Sequence, residues 1–313
     1  MYYVGIDIGG MSIKFGLVDE EGAIIYRTVL TVDYNEVSIE KTISLMKDKI
    51  EELCTGAKIH LKDIKGIGIG CPGVCNTDEG ILVNAPNLKW QDVHIREMFA
   101  DLRIPTFICN DANVALIGEA TFGAGKGFKD LLLLTLGTGV GGGIIINERP
   151  FTGTHGMASE IGHSIIGENY YNCNCGANGC LETFCSATAI IKYAQKLIQE
   201  GNESIILDMA DRNIESINAK MVFDAFREND AVAVETINRF KNYLAKAMAS
   251  MINTLDPDII SIGGGVSRAS DVILHDIKDL VRENVLYKNE EFADIVCANL
   301  GADAGIIGAA FLQ

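Results

Sequence analysis

A strand, a glycine turn and a second strand follow one another twice in the sequence, and this repeat constrains the fold more than any other feature. Its two copies are GIDIGGMSIKFG near the N-terminus and TLGTGVGGGIII in the middle of the chain. A third glycine run, at 263–265, follows the apolar segment DIISI. Apolar positions at helical spacing, as in residues 38–54, indicate an α/β fold with helices packed on sheets. The repeat predicts two related domains around a central cleft.

The three glycine turns are candidate phosphate-binding loops. Glycine after a strand lets the backbone come close to an anion and direct its N–H groups towards it. A tight hairpin that needs positive φ would also require glycine, so a single glycine turn does not establish phosphate binding. Three such turns at predicted strand ends favour binding of nucleotide phosphates. None precedes Lys-Ser or Lys-Thr, and GVGGG continues into a strand. These features argue against a P-loop and against a Rossmann dehydrogenase.

Charge and composition restrict the partners. The chain has 26 basic and 42 acidic residues and a formal net charge of -16, whereas sequence-independent nucleic-acid binding relies on Lys and Arg to neutralise phosphates. No apolar run approaches the roughly 18 residues of a transmembrane helix. The first residues, MYYVGIDIGG, lack the basic region of a signal peptide. We expect a cytoplasmic protein with neither nucleic-acid nor membrane partners.

Three of the nine cysteines crowd into a short loop with the sequence CNCGANGC. In a reducing compartment such a cluster favours a metal over disulfides. Together with His163, the thiols of Cys173, Cys175 and Cys180 provide the four ligands of a closed tetrahedral zinc site, whose role would be structural. Loop cysteines without a metal are the alternative. Cys185 is expected at a helix start and not as a fifth ligand.

Asp111 is the candidate catalytic residue. Phosphoryl transfer to a hydroxyl needs positioning, charge neutralisation and a carboxylate that takes the hydroxyl proton. Asp111 lies in the segment CNDAN, after a predicted strand at 105–109 and near the N-cap of a predicted helix that runs to about residue 122. Helix capping is the alternative role, since Asp is among the favoured N-cap residues. The residues alone leave the two roles open.

The order of the motifs resembles the ROK family of repressors and sugar kinases. The matching segments, between residues 5 and 308, are DIGGMSIKFGLVD, GIGIGCPGV, NAPNLKW, CNDANVALIGEA, LTLGTGVGGGII, EIGH, CNCGANGCLE and IGGGVS. The resemblance implies a two-domain, actin-like ATPase fold of the hexokinase and ribonuclease H type, ATP and Mg²⁺ as cofactors, a structural Zn²⁺ and a homodimer. The domains are expected at 1–118 plus about 300–313 and at 119–299.

The resemblance also implies roles for individual residues, with Asp111 as the general base and the Cys/His cluster as zinc ligands. The implied sugar contacts are Asn87, Asn110, Asp111, Glu160, His163, Glu182 and, in the Cys-Pro-Gly turn, Gly73. The expected nucleotide contacts are Asp7, which would hold Mg²⁺, and Gly10, Ser12, Lys14, Gly137, Thr138, Gly139, Gly264 and Gly265.

Two residues depart from the family pattern: Met11 stands where kinases of the family usually have Thr, and Ser159 stands where many relatives have Gly. The implied activity is phosphorylation of glucose to glucose 6-phosphate by ATP, with N-acetylmannosamine, fructose or allose as alternative acceptors. A transcriptional repressor is disfavoured, because Asp7 leaves no room for a preceding DNA-binding domain. A non-catalytic sugar sensor is supported only by Met11.

Overall fold

The computed structural model describes residues 1–312, which form two compact units. Unit 1 contains Met1–Phe128, Glu148–Ala158 and 299–312, and unit 2 contains Lys129–Asn147 and Ser159–Ala298. The sequence placed the first boundary at 118/119, but the helix Asp111–Phe122 continues through that point without a break. Whether the compact units are also the functional domains stays a prediction.

Strands and helices alternate along most of the chain, as the sequence predicts. The strands are β1 (Tyr2–Ile8), β2 (Ser12–Asp19), β3 (Ile24–Thr31), β4 (Ile64–Cys71), β5 (Val74–Asn76), β6 (Ile81–Ala85), β7 (Trp90–Val93), β8 (Thr106–Asn110), β9 (Leu131–Leu136), β10 (Val140–Ile146), β11 (Arg149–Pro150), β12 (Ile259–Gly263) and β13 (Asp294–Cys297). The α-helices are α1 (Ile39–Ala57), α2 (Ile95–Met98), α3 (Asp111–Phe122), α4 (Glu182–Cys185), α5 (Ala187–Gln199), α6 (Ile205–Met209), α7 (Ala219–Arg227), α8 (Ala231–Leu255), α9 (Ser270–Ile273), α10 (Ile277–Asn284) and α11 (Ala304–Ala310).

Unit 1 is built on a five-stranded sheet in the order β3-β2-β1-β4-β8. β1, β2 and β3 are antiparallel neighbours, whereas β1, β4 and β8 run parallel to one another. Apolar side chains of the parallel strands, such as Ile6, Ile69 and Ile108, are fully buried, which is typical of strands covered on both faces. Because the carboxyl ends of parallel strands meet at one edge, the residues that follow β1, β4 and β8 are brought together. A small antiparallel sheet, β5-β6-β7, follows β4 in the chain.

The C-terminal segment completes unit 1. α11 packs against β1, β4 and α3, and its Ile306 and Ala310 are buried. The fully buried carboxylate of Glu119, in α3, accepts hydrogen bonds from the backbone N–H groups of Asn299 at 3.1 Å and Leu300 at 2.8 Å. A buried carboxylate is tolerated when such donors surround it, so Glu119 ties the C-terminal segment to α3.

Unit 2 contains a sheet in which β9 pairs antiparallel with β10 and parallel with β12, which in turn pairs parallel with β13. The longest helix described is α8, and its buried face, with Phe240, Leu244 and Met248, lies in the core of this unit. After β12 the chain forms a 3₁₀ helix, Gly265–Ala269, before α9 begins. Within residues 1–312, no helix has both the length and the apolar character that would let it cross a membrane.

Candidate active site and metal centre

Candidate residues for both sugar binding and phosphate binding lie at the carboxyl edge of the sheet in unit 1. The Gly9-Gly10 turn follows β1, Gly73 follows β4, and Asn110 with Asp111 lies at the junction of β8 and α3. Asn110 pairs with Cys71 in the β4–β8 register, and its side-chain Nδ2 donates to the carbonyl oxygen of Gly73 at 3.0 Å. The structure therefore joins the Cys-Pro-Gly turn to the Asn-Asp segment.

The N-cap of α3 is Asn110, and Asp111 is the first residue of the helix. The side-chain oxygen of Asn110 accepts from the N–H groups of Ala112 at 3.0 Å and Asn113 at 3.3 Å. Asp111 is exposed, and its Oδ1 accepts a hydrogen bond from the N–H of Ala112 at 2.8 Å. The prediction that placed Asp111 near the cap is thus refined by one residue. Since Asn110 already caps the helix, capping does not explain why Asp stands at 111.

Gly73 has a geometric requirement for glycine. Its φ is 93°, and a Cβ at this position would lie 2.2 Å from the carbonyl oxygen of Asn84. Any other residue would be strained and would clash with backbone. Asn87 is exposed on the 3₁₀ turn Pro86–Leu88 that follows β6.

The phosphate-turn candidates of unit 1 lie on the β1–β2 hairpin. Asp7 and Lys14 face each other in the antiparallel register, with Lys14 Nζ 3.1 Å from Asp7 Oδ2. Met11 is 80% exposed at the tip. Tyr34, which the sequence analysis missed, donates its hydroxyl to the carbonyl oxygen of Gly9 at 2.9 Å, and burial raises the pKa of this phenol to about 12. Tyr34 therefore braces the turn as a neutral donor.

The glycine turns of unit 2 are neighbours. β9 and β12 are parallel, and Thr135 pairs with Gly263, so the turn at 137–139 lies beside the run at 263–265. The start of α5 braces the first turn: Ala187 N–H donates to Gly137 O, and Thr188 Oγ1 donates to Thr138 O, both at 2.7 Å. The two turns thus lie side by side, and the turn at 137–139 also contacts the N-terminus of α5, where anions are favoured.

Glu182 links the turn at 137–139 to the cysteine loop. Its Oε2 accepts from Val140 N–H at 3.0 Å, and a Cβ at Gly139 would lie 2.3 Å from that oxygen. Its Oε1 lies 3.6 Å from the Sγ atom of Cys173. A side chain at position 139 would therefore displace the Glu182 carboxylate from Val140 N–H, and movement of Glu182 would act on the turn at 137–139.

The Cys/His cluster has the geometry of a metal site. The ligand atoms of His163, Cys173, Cys175 and Cys180 all lie within 4.8 Å of one another. Cys175 Sγ is 3.6 Å from Cys180 Sγ, and Cys173 Sγ is 3.7 Å from His163 Nδ1. Sulfurs at about 2.3 Å from a tetrahedral zinc lie about 3.8 Å apart. The donor set and the spacing therefore fit a closed zinc site.

The environment of the cluster is asymmetric. Cys173 and Cys180 are buried, whereas Cys175 and His163 are exposed. The backbone N–H of Ala177 is the main cause that lowers the pKa of the Cys175 thiol to about 7. The prediction for Cys185 was wrong in its position: this residue ends α4, and it is buried with its thiol directed to Phe240 O at 3.7 Å. Cys185 is not part of the metal cluster.

Glu160 and His163 lie on one short turn. Glu160 precedes the 3₁₀ helix Ile161–His163, and His163 N–H donates to the carbonyl oxygen of Glu160 at 3.0 Å. Both side chains are exposed. With Nδ1 of His163 next to Cys173, Nε2 is the nitrogen left for another partner.

Comparison with known proteins assigns the family. The model of the ROK family matches residues 3–313. The chain belongs to the ROK family. It is 38% identical to a glucokinase from Halalkalibacterium halodurans over 99% of this chain and 94% of that protein. A xylose repressor from Caldicellulosiruptor bescii is 32% identical over 90% of this chain and 70% of the repressor.

Among solved structures, a ROK family glucokinase from Streptomyces griseus, determined in complex with glucose and AMPPNP, has 32% identity and a TM-score of 0.82. The match covers 100% of this chain and 99% of that one. The expected ROK fold, a two-domain α/β fold of the actin-like ATPase type, is confirmed.

Ser159 adopts a left-handed backbone with φ 70°. Such a conformation costs a non-glycine residue about 1–2 kcal/mol. Glycine removes this strain, but it also raises the conformational entropy of the unfolded chain, which cancels part of the gain in stability. We expect Ser159→Gly to stabilise the protein by about 0.5–1 kcal/mol, measured as a raised Tm. Ser164→Gly is the control, because Ser164 has φ -64° and should only lose stability. Equal losses in both variants would contradict the strain at Ser159.

Proposed function

We propose that this protein is an ATP-dependent glucose kinase that forms glucose 6-phosphate. The observation that carries the proposal is the exposed carboxylate of Asp111 at the start of α3, held at a sheet edge by Asn110 and the Gly73 turn. Support comes from the 38% identity to a glucokinase and from the 32% identity to one solved with glucose and AMPPNP.

Asp111 acts as the general base in this proposal. The sugar hydroxyl oxygen attacks the terminal phosphorus of ATP while Asp111 accepts the hydroxyl proton, and ADP leaves. Asn110 aligns the first turn of α3 and thereby orients the neighbouring carboxylate. The remaining proposed sugar ligands are Gly73 and Asn87 in unit 1 and Glu160, His163 and Glu182 in unit 2.

The proposed nucleotide groups follow the glycine turns. In unit 1 they are Gly10, Ser12 and Lys14, and in unit 2 they are Gly137, Thr138, Gly139, Gly264 and Gly265. Asp7 is the proposed Mg²⁺ ligand, and the ion, when bound, neutralises phosphate charge. Because Lys14 pairs with Asp7 at 3.1 Å, its ammonium group is held next to the turn, where it suits a phosphate oxygen. Met11 has no hydroxyl to donate to a phosphate, and the hydroxyl of the neighbouring Ser12 partly replaces that of the usual Thr.

The Cys/His cluster is proposed to hold one structural Zn²⁺. Four protein ligands leave no open position, so the ion would fix the loop and, with it, Glu182, which lies two residues after the ligand Cys180. A homodimer is also part of the proposal and is tested by light scattering of the purified protein.

A screen of acceptors tests the function. ADP release is followed with ATP, Mg²⁺ and, in turn, glucose, N-acetylmannosamine, fructose or allose. We expect glucose to give the highest kcat/KM. A preference for N-acetylmannosamine would change the acceptor and keep the reaction. If calorimetry detects glucose binding but no acceptor sugar leads to ADP release, the kinase function is contradicted and a sugar sensor is supported. The similarity to xylose repressors keeps that class relevant.

A further inference from the structure

A cavity of about 530 Å³ lies within unit 1, next to Asn110. Its walls are residues of β5 and the turn after it, the start of α3, and the loop that runs from Thr152 to Met157. The volume falls in the range of small-molecule sites, about 300–1,000 Å³, and it is far larger than a single water needs. Asn110 is a wall residue, so the cavity adjoins the segment that carries Asp111.

One wall residue of the cavity has an unmet hydrogen bond. Asn113 is only 6% exposed, and its Oδ1 has no partner among the described residues. A buried oxygen without a donor is costly and calls for an explanation. Asn113 lies about one helical turn after Asn110, and both residues line the cavity. A ligand in the cavity could therefore donate the hydrogen bond that Asn113 Oδ1 lacks.

Asn110 has little capacity left to meet a ligand hydroxyl. Its Oδ1 already accepts two backbone N–H groups, and one hydrogen of Nδ2 is donated to Gly73 O. A carboxamide has two donor hydrogens and one acceptor oxygen, so Asn110 retains one donor hydrogen. A hydroxyl that needs an acceptor must find it elsewhere, and Asn113 Oδ1 is the buried acceptor nearby.

The walls of the cavity select a neutral, hydroxyl-rich ligand. Among the described wall residues there is neither Lys nor Arg, and Asp78 adds a carboxylate, so an anionic ligand is disfavoured. Thr77 and His155 offer hydrogen-bonding groups, while Val83 and Met157 offer apolar surface. Sugars present both hydroxyl edges and apolar C–H faces, so this mixture of polar and apolar walls suits an unphosphorylated sugar.

We propose that Asn113 is a sugar-recognition residue: the cavity holds the part of the acceptor sugar next to Asn110, and a sugar hydroxyl donates to Asn113 Oδ1. This inference rests on the proposed function, because it assigns the acceptor of that reaction to the cavity. It predicts that neutral sugars bind more tightly than sugars that carry a phosphate or a carboxylate.

Replacement of Asn113 by Leu tests the hydrogen bond. Leu keeps the volume and removes the acceptor, so the KM for glucose should rise about tenfold, as for one lost buried hydrogen bond, while the KM for ATP stays unchanged. Ser261→Ala is the matched control, because Ser261 Oγ is also buried without a partner among the described residues but lies outside the cavity walls. An unchanged glucose KM in folded Asn113→Leu would overturn the proposal.

A second measurement needs no variant at the cavity. Cys75 and Cys109 are wall residues, whereas the half-buried Cys297 of unit 2 is not. With saturating D-glucose, alkylation of Cys75 and Cys109 by N-ethylmaleimide, followed by mass spectrometry, should slow several-fold while that of Cys297 is unchanged. Equal rates with and without glucose would overturn the cavity assignment even if Asn113→Leu does not fold.

The two proposals fail separately. If the wild-type protein phosphorylates glucose but glucose does not protect Cys75 and Cys109, the kinase stands and the cavity assignment falls. If glucose protects both thiols but no acceptor yields ADP, the cavity assignment stands and the kinase falls. Protection by glucose 6-phosphate equal to that by glucose would contradict the selection of neutral sugars.

Discussion

Asp111→Asn is expected to lower kcat by about 10²–10⁴, the loss typical of a removed general base. Asn is nearly isosteric with Asp and can still bond a hydroxyl, but it cannot take the proton. Since Asn110 caps α3, the helix should form normally in the variant, and the affinity for sugar should survive approximately. The measurements are kcat from ADP release and sugar affinity by calorimetry on a protein shown to be folded.

The control for Asp111→Asn is the same substitution at another helix start. Asp230 caps α8 by accepting from Ala233 N–H, and Asn is a comparably good cap. Asp230→Asn should therefore keep kcat within about twofold of wild type. If Asp111→Asn also keeps near-normal kcat, Asp111 is not the base and the mechanism is wrong.

Cys180→Ser should lose the metal and much of the stability of unit 2. Cys180 is fully buried, and structural zinc contributes directly to folding free energy. We expect about one zinc per wild-type chain, none in the variant, and a fall in Tm on the order of 10 °C. Glucose affinity should fall as well, because the proposed sugar ligand Glu182 lies two residues after Cys180.

Cys185→Ser is the control for the zinc prediction, since Cys185 is equally buried and lies outside the cluster. It should retain the metal, which elemental analysis measures. Wild-type protein that is fully active without detectable zinc would contradict the structural role. Loss of activity in Cys180→Ser with the metal still bound would contradict the ligand assignment.

Much of the fold could be predicted from local patterns. The apolar runs before glycine turns gave β1, β9 and β12, and the spacing of apolar residues at 38–54 gave α1. These elements are decided by neighbours in sequence, so the pattern is sufficient. The assignment of Glu148–Ala158 to unit 1 depends on contacts far apart in the chain, and no local pattern encodes it.

The sequence predicted which residues belong to the candidate site, but it did not predict their hydrogen bonds or their positions at the ends of strands and helices. Asn and Asp are comparably good caps, so sequence could not tell which of Asn110 and Asp111 ends the strand and which begins the helix. Tyr34 and Asn113 carried no sequence signal, because an isolated Tyr or a helical Asn is common. Their importance comes from a hydrogen bond to Gly9 and from an unmet acceptor in a cavity.

The attachment of residues 299–312 to unit 1 has a consequence for how the protein is made. The surfaces of β1, β4 and α3 that α11 covers stay open until α11 has left the ribosome. About 170 residues separate Phe128 from Asn299, and at about 5–20 residues per second their synthesis takes on the order of 10–30 s. During that time the nascent N-terminal sheet exposes apolar surface, so chaperone binding should be strongest on ribosome-held chains that stop before α11.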